Sequence, residues 1–585
     1  MPLVDSSPAR YGRFLIFIAG LGGLLYGIDV GIIAAALLYL GKTVNLSVAQ
    51  TSVIVAAVLG GSMGSSLVAG VLADWFGRKK MMIVSALLFI ASVGLIVISQ
   101  GFVPLLLGRL LQGVSGGVIA VVVPLYLAEC LSAGNRGKGT AFFQFMLTFG
   151  IVIAALAGWF YTHQAEAAIQ AASGNPALIR AAQDHAWRSM FLSVIYPGLL
   201  FFSGAFFLSE SPRWLYRRGR IDEAHNVLRR SLSNTEAQVE MQEMQDAASN
   251  KQAAVASGTS GSLLQRKYVV PFLLACIILA CNQTTGINSI LGFLVLILRQ
   301  AGMSANHATG ADVAVKLLNC AMTVVAVALV DRKGRKFLLK LGTGGIVIAL
   351  TLAASLFLSI EHQRVDQRQS VQAAIQNNAL HLLVNAETFG PNPQQPVPLQ
   401  PNPQLPATTL TVLYSYGDGD KVASVVSTDP NPVLIVSPDA TQNPTQNPTQ
   451  THPLLIKHAF YGPLPTETTG WLVAVCLGLF IASFSVGPGV VVWLALSELM
   501  PTRIRSTGMG IALLINQGMS TLIAAAFLPV AGNFGYSAMF LVWACCTVIY
   551  FLTAAFFLPE TKGKTLEEIE LYFTRTTKHS VGQTP

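Results

Sequence analysis

Long apolar runs dominate the sequence and set what the chain can fold into. Twelve of them are long enough to cross the hydrocarbon core of a bilayer, which takes ~20 residues of helix. Only 11% of the 585 residues are charged, less than half the roughly 25% found in soluble proteins. We therefore predict an all-α membrane protein with twelve transmembrane helices, called spans 1 to 12. The runs cover approximately residues 14–40, 51–73, 81–99, 103–130, 139–161, 189–209, 268–298, 311–330, 338–360, 468–496, 506–531 and 535–558.

The distribution of basic residues predicts the orientation of the spans. The net charge is +9, and Lys and Arg are concentrated in alternate loops, including residues 78–80, 136–138 and 332–336. Because cytoplasmic loops collect Lys and Arg, both termini are expected in the cytoplasm, with the chain in the plasma (cell inner) membrane. A basic surface for nucleic acid is not expected.

Two halves of the chain repeat each other. The motif DWFGRK (74–79) after span 2 recurs as DRKGRK (331–336) after span 8, 257 residues later. Glu129 and Arg136 recur as Glu498 and Arg505, but 369 residues later, so an insertion lies between the landmarks. The repeat predicts two pseudo-symmetric six-helix bundles, an architecture of transporters. The expected domains are a first bundle (residues 1–209), a linker with short helices (210–267), a second bundle (268–360 and 467–558), an insertion (361–466) and a tail (559–585).

The insertion, residues 361–466, is expected outside the cytoplasm. Residues 366–387 are predicted to form a helix, and residues 408–427 a β-hairpin with Asp418 and Asp420 in its turn, not on a calcium ion. The surrounding stretches are rich in Pro, Asn and Gln and predict disorder or an extended strap. Capping of the bundles and binding of a partner are both open roles for this segment.

One acidic residue lies within a predicted span, where a charge is energetically costly. Span 1 is apolar apart from Asp29, and an Asp at such depth costs at least ~2.5 kcal/mol. Span 4 carries one cation, Arg109. At 1.5 Å per residue, Asp29 lies roughly 22 Å from Phe14 and Arg109 about 9 Å from Val103, so helices entering from opposite faces bring them level. An ion pair inside the membrane is predicted. It could couple transport to protons or be a static structural pair.

Further motifs carry a family resemblance. They are GGLLYGIDVGII (22–33), GRLLQG (108–113), PLYLAECLSAGNRG (124–137), SESPRWL (209–215), NQTTGIN (282–288), GPGVVVWLALSELMP (487–501) and PETKG (559–563). With them the chain resembles the sugar porter family of the major facilitator superfamily, and in particular bacterial sugar–proton symporters. The resemblance implies a secondary transporter that imports a hexose or pentose with a proton by alternating access. It implies no enzyme activity, catalytic residue, cofactor or metal. A sugar, polyol or inositol facilitator and a transporter-like sugar receptor are the alternatives.

The resemblance also implies a set of substrate-binding residues. They are Gln144, Gln283, Asn288, Asn319, Trp493, Asn516, Tyr26 and Gly489. Amide side chains both donate and accept hydrogen bonds, as sugar hydroxyls do, although a single Asn or Gln can equally join two helices. Arg109 is the one cation expected in this region and already has a partner, so a neutral monosaccharide is predicted. Asn282, Gly292 and Ser520 depart from the family pattern and leave the choice of sugar open.

For Asp29 and Arg109 the resemblance implies proton coupling. The hypothesis is that a proton from outside neutralises Asp29 and loosens the pair before the bundles rock. A second set of charges is implied to form a gate network at the cytoplasmic helix ends. Because exposed pairs are weak singly, such a network acts only if it breaks together. Its members are Asp74, Arg78, Glu129, Arg136, Glu210, Arg213, Asp331, Arg335, Glu498, Arg505 and Glu560.

Glycines predict breaks and close packing in the spans. Gly286 and the stretch 487–489 are expected to interrupt spans 7 and 10. The pairs Gly60/Gly64 and Gly113/Gly117 predict close approach of helices. The expected partners are a monosaccharide, a proton and the lipid bilayer, with the chain as a monomer.

Overall fold

The computed structural model describes residues 8–256, 266–384, 407–417, 419–427, 432–437, 452–500 and 505–560. Within these ranges, twelve helical segments are long and apolar enough to cross a membrane. The prediction of twelve spans is confirmed.

The spans keep the predicted order, although several are longer than their apolar runs. Spans 1 to 6 are Pro8–Thr43, Val48–Phe76, Arg78–Ile98, Phe102–Cys130, Ala133–Ala171, and Pro176–Ser193 with Ile195–Phe207. Spans 7 to 12 are Arg266–Thr284 with Ile287–Gln300, Ala305–Lys333, Arg335–His362, Glu467–Val486 with Pro488–Leu499, Arg505–Phe534, and Tyr536–Leu552 with a π-helical turn Thr553–Phe557. Three linker helices, Pro212–Arg217, Ile221–Ser231 and Asn234–Ala256, follow span 6.

Two spans are broken where glycine predicts a break. Gly286 has φ +82°, a left-handed conformation that glycine adopts without strain, and it separates the two halves of span 7. Gly487 separates the halves of span 10, and Pro488, which has no N–H to donate, begins the second half. Both breaks confirm the prediction.

The spans form two bundles with a repeated internal feature. Span 1 packs on span 5 and span 2 on span 4, whereas span 9 packs on spans 10 and 12 in the second half. Glu210 accepts hydrogen bonds from the first two backbone N–H groups of span 3, at 2.8 and 3.1 Å. Glu560 does the same at the start of span 9, at 3.1 and 3.2 Å. A carboxylate at a helix N-terminus offsets its unpaired N–H groups. The two halves therefore share this cap, as pseudo-symmetry requires.

The bundles have two distinguishable ends. The end at which span 1 begins carries the loops around residues 77 and 334, and is called the terminal side. The opposite end carries the segment between spans 9 and 10, and is called the insertion side. Ser52 Oγ on span 2 accepts a hydrogen bond from the backbone N–H of Leu528 on span 11, at 3.0 Å. Ala56 and Ala524 pack together one turn further in, so the bundles touch in the insertion-side half.

The segment between spans 9 and 10 folds as a small β-unit. Its strands are β1 (Val365–Asp366), β2 (Leu380–Leu383), β3 (Thr408–Ser415), β4 (Asp420–Val426), β5 (Val433–Val436) and β6 (Leu455–Pro463). A four-stranded antiparallel sheet has the order β1-β6-β3-β4, and β2 pairs with β5. The predicted hairpin is β3 with β4, and it is confirmed. Asp420 forms an ion pair with Lys457 at 2.7 Å. Asp418 and the Pro- and amide-rich stretches lie outside the described residues.

The helix predicted over residues 366–387 is wrong in most of its length. Among the described residues of this range, helix is limited to Arg368–Ala373, and Leu380–Leu383 form β2. The reason is non-local pairing: β2 finds its partner strand 50 residues on, at Val433–Val436, and buries Leu380 completely in the core of the β-unit. Local helix propensity does not outweigh such burial.

The β-unit touches both bundles. It is joined to the second bundle at His362 and Glu467. Gly419, in the turn of the hairpin, lies against Ser47, the N-cap residue of span 2 in the first bundle. A cleft lined by Val48, Leu413 and Pro529 lies beside this contact.

Spans 2 and 4 pack through glycines, but not all of those predicted. Gly113 and Gly117 lie against the backbone of span 2, and Gly61 lies against the backbone of span 4. Gly60 lies against Thr521 of span 11 instead, and Gly64 faces open space, so the predicted close approach is wrong for Gly64. Successive helical residues point about 100° apart, so a shift of one position moves the contact from Gly60 to Gly61.

The packing predicts a contrast between two glycine substitutions. In Gly113→Val the new side chain overlaps the backbone of span 2, with a cost of about 1–3 kcal/mol or more. Gly64→Val has room and should cost little. The fraction of monodisperse protein after a heating series in detergent measures the difference. Equal losses in the two variants would contradict this packing.

Candidate functional site

Asp29 and Arg109 meet inside the first bundle. Arg109 Nη1 lies 3.3 Å from Asp29 Oδ1, and both side chains are buried, each with 1% of its surface exposed. The pair joins span 1 to span 4. Charges this deep mark functional sites in membrane proteins.

A third residue shares the guanidinium. Arg109 Nη1 also donates to Gln112 Oε1 at 2.7 Å, closer than its contact with Asp29, and the guanidinium lies 5.6 Å from the ring centre of Phe191. Asp29 Oδ2 accepts no hydrogen bond from the described residues. The carboxylate is therefore held by one long hydrogen bond. Gln112 was not predicted, although its position three residues after Arg109 places both on one helix face.

A second charged pair lies in span 8, and it corrects the expectation that Arg109 is the one cation of this region. Lys316 Nζ lies 2.7 Å from Asp312 Oδ2, with 0% and 1% of the side chains exposed. The apolar run of span 8 begins at residue 311, so Asp312 resembled a charge at a helix end. The helix begins at Ala305, two turns earlier, and this places the pair inside the span.

The predicted amides of spans 7 and 11 form a connected cluster. Asn288 Nδ2 donates to Ser520 Oγ at 2.7 Å and to Gln283 Oε1 at 3.0 Å. Gln283 Nε2 donates to Asn516 Oδ1 at 3.2 Å. The break at Gly286 allows Gln283 and Asn288, on either side of it, to converge. Ser520, noted as a departure, thus belongs to the cluster.

Two predicted residues, Asn319 and Gln144, lie on spans 8 and 5, which pack against each other. Asn319 Oδ1 accepts a hydrogen bond from Ser485 Oγ at 2.6 Å, which joins spans 8 and 10. Gln144 is half-buried on span 5, one turn before Thr148. Thr148 Oγ1 lies 3.6 Å from the sulfur of Cys320, the residue after Asn319.

The remaining predicted substrate residues are placed as follows. Gly489 lies in the first turn of the second half of span 10, against Phe484. The side chain of Trp493 lies outside the described part. Tyr26 is half-buried one turn before Asp29 and lies beside Gln517, the neighbour of Asn516. Tyr26 therefore reaches span 11 from a position close to Asp29.

On the terminal side, Arg78 is the centre of an ion-pair cluster. It is buried, and it contacts Asp74 at 2.7 Å and Glu129 at 2.8 Å. Arg217, which was not predicted, lies 3.4 Å from Asp74 and 3.9 Å from Glu129. Arg213 instead pairs with Glu240 of the linker, at 3.4 Å.

The other predicted gate residues divide into two groups. Glu210 and Glu560 cap spans 3 and 9, and Arg335 Nη1 donates to the carbonyl of Val330 at 3.4 Å. The side chains of Arg136, Asp331, Glu498 and Arg505 lie outside the described part. Among the described side chains, the ion pairs of this set join residues of the first bundle and the linker.

The two acids on Arg78 should differ in their contribution to stability. Glu129→Gln leaves the buried guanidinium of Arg78 without its buried partner. The free energy of unfolding should therefore fall by about 3–5 kcal/mol. Asp74, with 55% of its side chain exposed, makes a matched control, and Asp74→Asn should cost less than ~1 kcal/mol. Thermal unfolding of the purified variants in detergent measures both. An equal fall in melting temperature would show that burial does not distinguish them.

The chain is similar to known transporters over most of its length. A family model described as "Sugar (and other) transporter" matches residues 15–390 and 454–573. The glucose transporter GlcP of Staphylococcus epidermidis is 26% identical, with 96% of this chain and 97% of that protein covered. The proton myo-inositol cotransporter hmit-1.1 of Caenorhabditis elegans is 27% identical, with 96% and 90% covered.

A solved structure supports the fold. The xylose transporter XylE from E. coli, in a partially occluded inward open conformation, matches with a TM-score of 0.65 and 21% identity, covering 95% of this chain and 100% of that chain. The family model covers most of this chain, and the bundle architecture agrees with the matched structure. The chain therefore belongs to the sugar (and other) transporter family and has the major facilitator fold.

Proposed function

We propose that this protein imports a monosaccharide, a hexose or pentose, together with a proton, by alternating access. The insertion side then faces outward, and both termini lie in the cytoplasm, as the basic loops of the terminal side favour. The observation that carries the proposal is the Asp29–Arg109 pair, buried within one bundle and held by a single 3.3 Å hydrogen bond. The names of a proton myo-inositol cotransporter and a xylose transporter among the similar proteins support this direction.

The proton step follows from the hydrogen bonds of the pair. Asp29 Oδ2 accepts no hydrogen bond from the described residues and is the oxygen that takes the proton. Once Asp29 is neutral, Arg109 still has Gln112 as an acceptor at 2.7 Å. The guanidinium is thus never without a polar partner, and no unpaired carboxylate has to pass through a dry intermediate.

The amide cluster suits a neutral polyhydroxylated ligand. Asn288, Gln283 and Asn516 bond to one another in this structure, and the same donors and acceptors can turn to sugar hydroxyls without a change in charge. Tyr26, one turn before Asp29, contacts Gln517, the sequence neighbour of Asn516. Sugar binding and proton binding can therefore influence each other through one aromatic side chain.

Replacement of Asp29 tests the coupling. Asp29→Asn removes the titrating group, so accumulation against a gradient should fall to equilibrium while sugar exchange across the membrane persists. One proton crossing a potential of 100 mV supplies about 2.3 kcal/mol, enough for roughly 50-fold accumulation, so the loss is easily measured. The assay is radiolabelled sugar uptake in a transport-deficient host, with a panel of sugars.

The controls separate a symporter from a facilitator. Asp184→Asn, a partly exposed change on span 6 outside the charged pair, the amide cluster and the gate residues, should retain accumulation. An uncoupler should abolish accumulation by the wild type and have no effect on Asp29→Asn. Undiminished accumulation by Asp29→Asn would end the proposal, and wild-type uptake indifferent to the uncoupler would indicate a sugar, polyol or inositol facilitator.

Replacement of Asn288 tests the sugar site. Asn288→Leu removes a donor at the centre of the cluster. With each hydrogen bond contributing about 1 kcal/mol, the loss of one or two should weaken sugar binding by roughly five- to thirty-fold. Asn533→Leu, an exposed change at the far end of span 11, is the control. Titration of the purified protein with sugar by calorimetry measures the affinity, and an unchanged affinity in Asn288→Leu would exclude Asn288 from the site.

A further inference from the structure

Span 8 contains charges that the proposed proton step does not use. Asp312 and Lys316 lie one turn apart on the same helix, fully buried, with 2.7 Å between carboxylate and ammonium. A pair of this kind needs a reason, because two ionised groups in hydrocarbon lose more hydration than they regain from each other unless further polar groups join them.

The further polar group comes from the other bundle. Lys316 Nζ donates to the backbone carbonyl of Gly31 on span 1, at 3.1 Å. Gly31 lies two residues after Asp29, so the ammonium of the second bundle contacts the helix that carries the proton-binding acid. Lys316 lies roughly 17 Å along span 8 from Ala305, and Gly31 about 18 Å from the end of span 1 at Thr43, so the contact lies about three helical turns from the insertion-side ends of both spans.

The two partners of Lys316 differ in what happens when the bundles move apart. Asp312 is on the same helix and stays within reach in any arrangement. The Gly31 carbonyl belongs to the first bundle, and this bond must break when the insertion-side halves separate. Asp312 Oδ1 accepts no hydrogen bond from the described residues, so it is available to the ammonium at that moment.

We propose that Lys316 is a positioning residue for transport: it holds span 8 against span 1 while the insertion side is closed, and Asp312 neutralises its charge when that side opens. The inference rests on the proposed alternating access. It assigns to span 8 a bond that is made in one state and lost in the other. Lys316 thereby sets the balance between closed and open states on the insertion side.

The test removes the pair without leaving a lone charge. In Asp312→Leu with Lys316→Met, apolar side chains replace the ion pair, a change that buried pairs commonly tolerate. Hydrogen–deuterium exchange of the full-length protein in nanodiscs, without sugar, is followed for residues 31–43 and 287–300. The expected result is exchange roughly ten-fold faster or more, because a hydrogen bond to a charged donor is lost. Asp312→Asn with Lys316→Met, judged by the same criterion, replaces the first variant if that one does not fold.

A pair within one bundle supplies the control. Arg188 and Asp184 on span 6 are also one turn apart, 2.7 Å from each other, and Arg188 bonds to the carbonyl of Val97 in its own bundle. Asp184→Leu with Arg188→Met should leave exchange in residues 31–43 unchanged. Wild-type exchange rates in a folded Asp312/Lys316 double variant would overturn the proposal.

A transport measurement distinguishes positioning from a purely structural role. If more of the protein is open on the insertion side, the apparent KM for sugar supplied from that side falls by about twofold or more, because less of the binding free energy goes into opening. An unchanged or higher KM contradicts the proposal. Hydrogen exchange needs neither sugar nor proton, so it decides the role of Lys316 even if the wild type proves not to transport a monosaccharide. Conversely, proton-driven uptake can hold while the exchange test fails.

Discussion

The cost of a charge in hydrocarbon governs this structure. Asp29 with Arg109, and Asp312 with Lys316, are paired, and each cation has a further polar acceptor, Gln112 in one case and the Gly31 carbonyl in the other. One hydrogen bond of each cation is longer than 3 Å: Arg109 to Asp29 at 3.3 Å and Lys316 to the Gly31 carbonyl at 3.1 Å. Each pair also leaves one carboxylate oxygen without a described partner. Such partial satisfaction suits groups whose partners must change, since a fully bonded pair would resist any rearrangement.

The proposed proton site and the amide cluster lie in different bundles. The Asp29–Arg109 pair lies in the first bundle, whereas Gln283, Asn288 and Asn516 lie in the second. A ligand that bonds to the second bundle can therefore act on the first only through contacts that cross between them. The structure supplies two such contacts close to Asp29, through Tyr26 and through Gly31.

A feature could be predicted from the sequence when the residues that specify it lie within one segment of the chain. Apolar length identified the twelve spans, and glycine and proline located the breaks at Gly286 and Gly487, because both are properties of a single segment. Pairing Asp29 with Arg109 succeeded because Asp29 is the one charge of its run and Arg109 the one cation of its run. Lys316 was missed since an internal i, i+4 pair near the predicted start of a span resembles a helix end. The helix predicted over 366–387 failed because β2 is specified by β5, and no local pattern contains that partner.

The β-unit gives the molecule a lever outside the bilayer. It is joined to spans 9 and 10, whereas its hairpin turn contacts Ser47 at the start of span 2. Any tilt of one bundle against the other would change the distance between Ser47 and the residues that join the β-unit to spans 9 and 10. An antibody fragment bound between that hairpin and span 2 would thus slow the movement of the bundles, without contacting the buried charged pairs or the amide cluster.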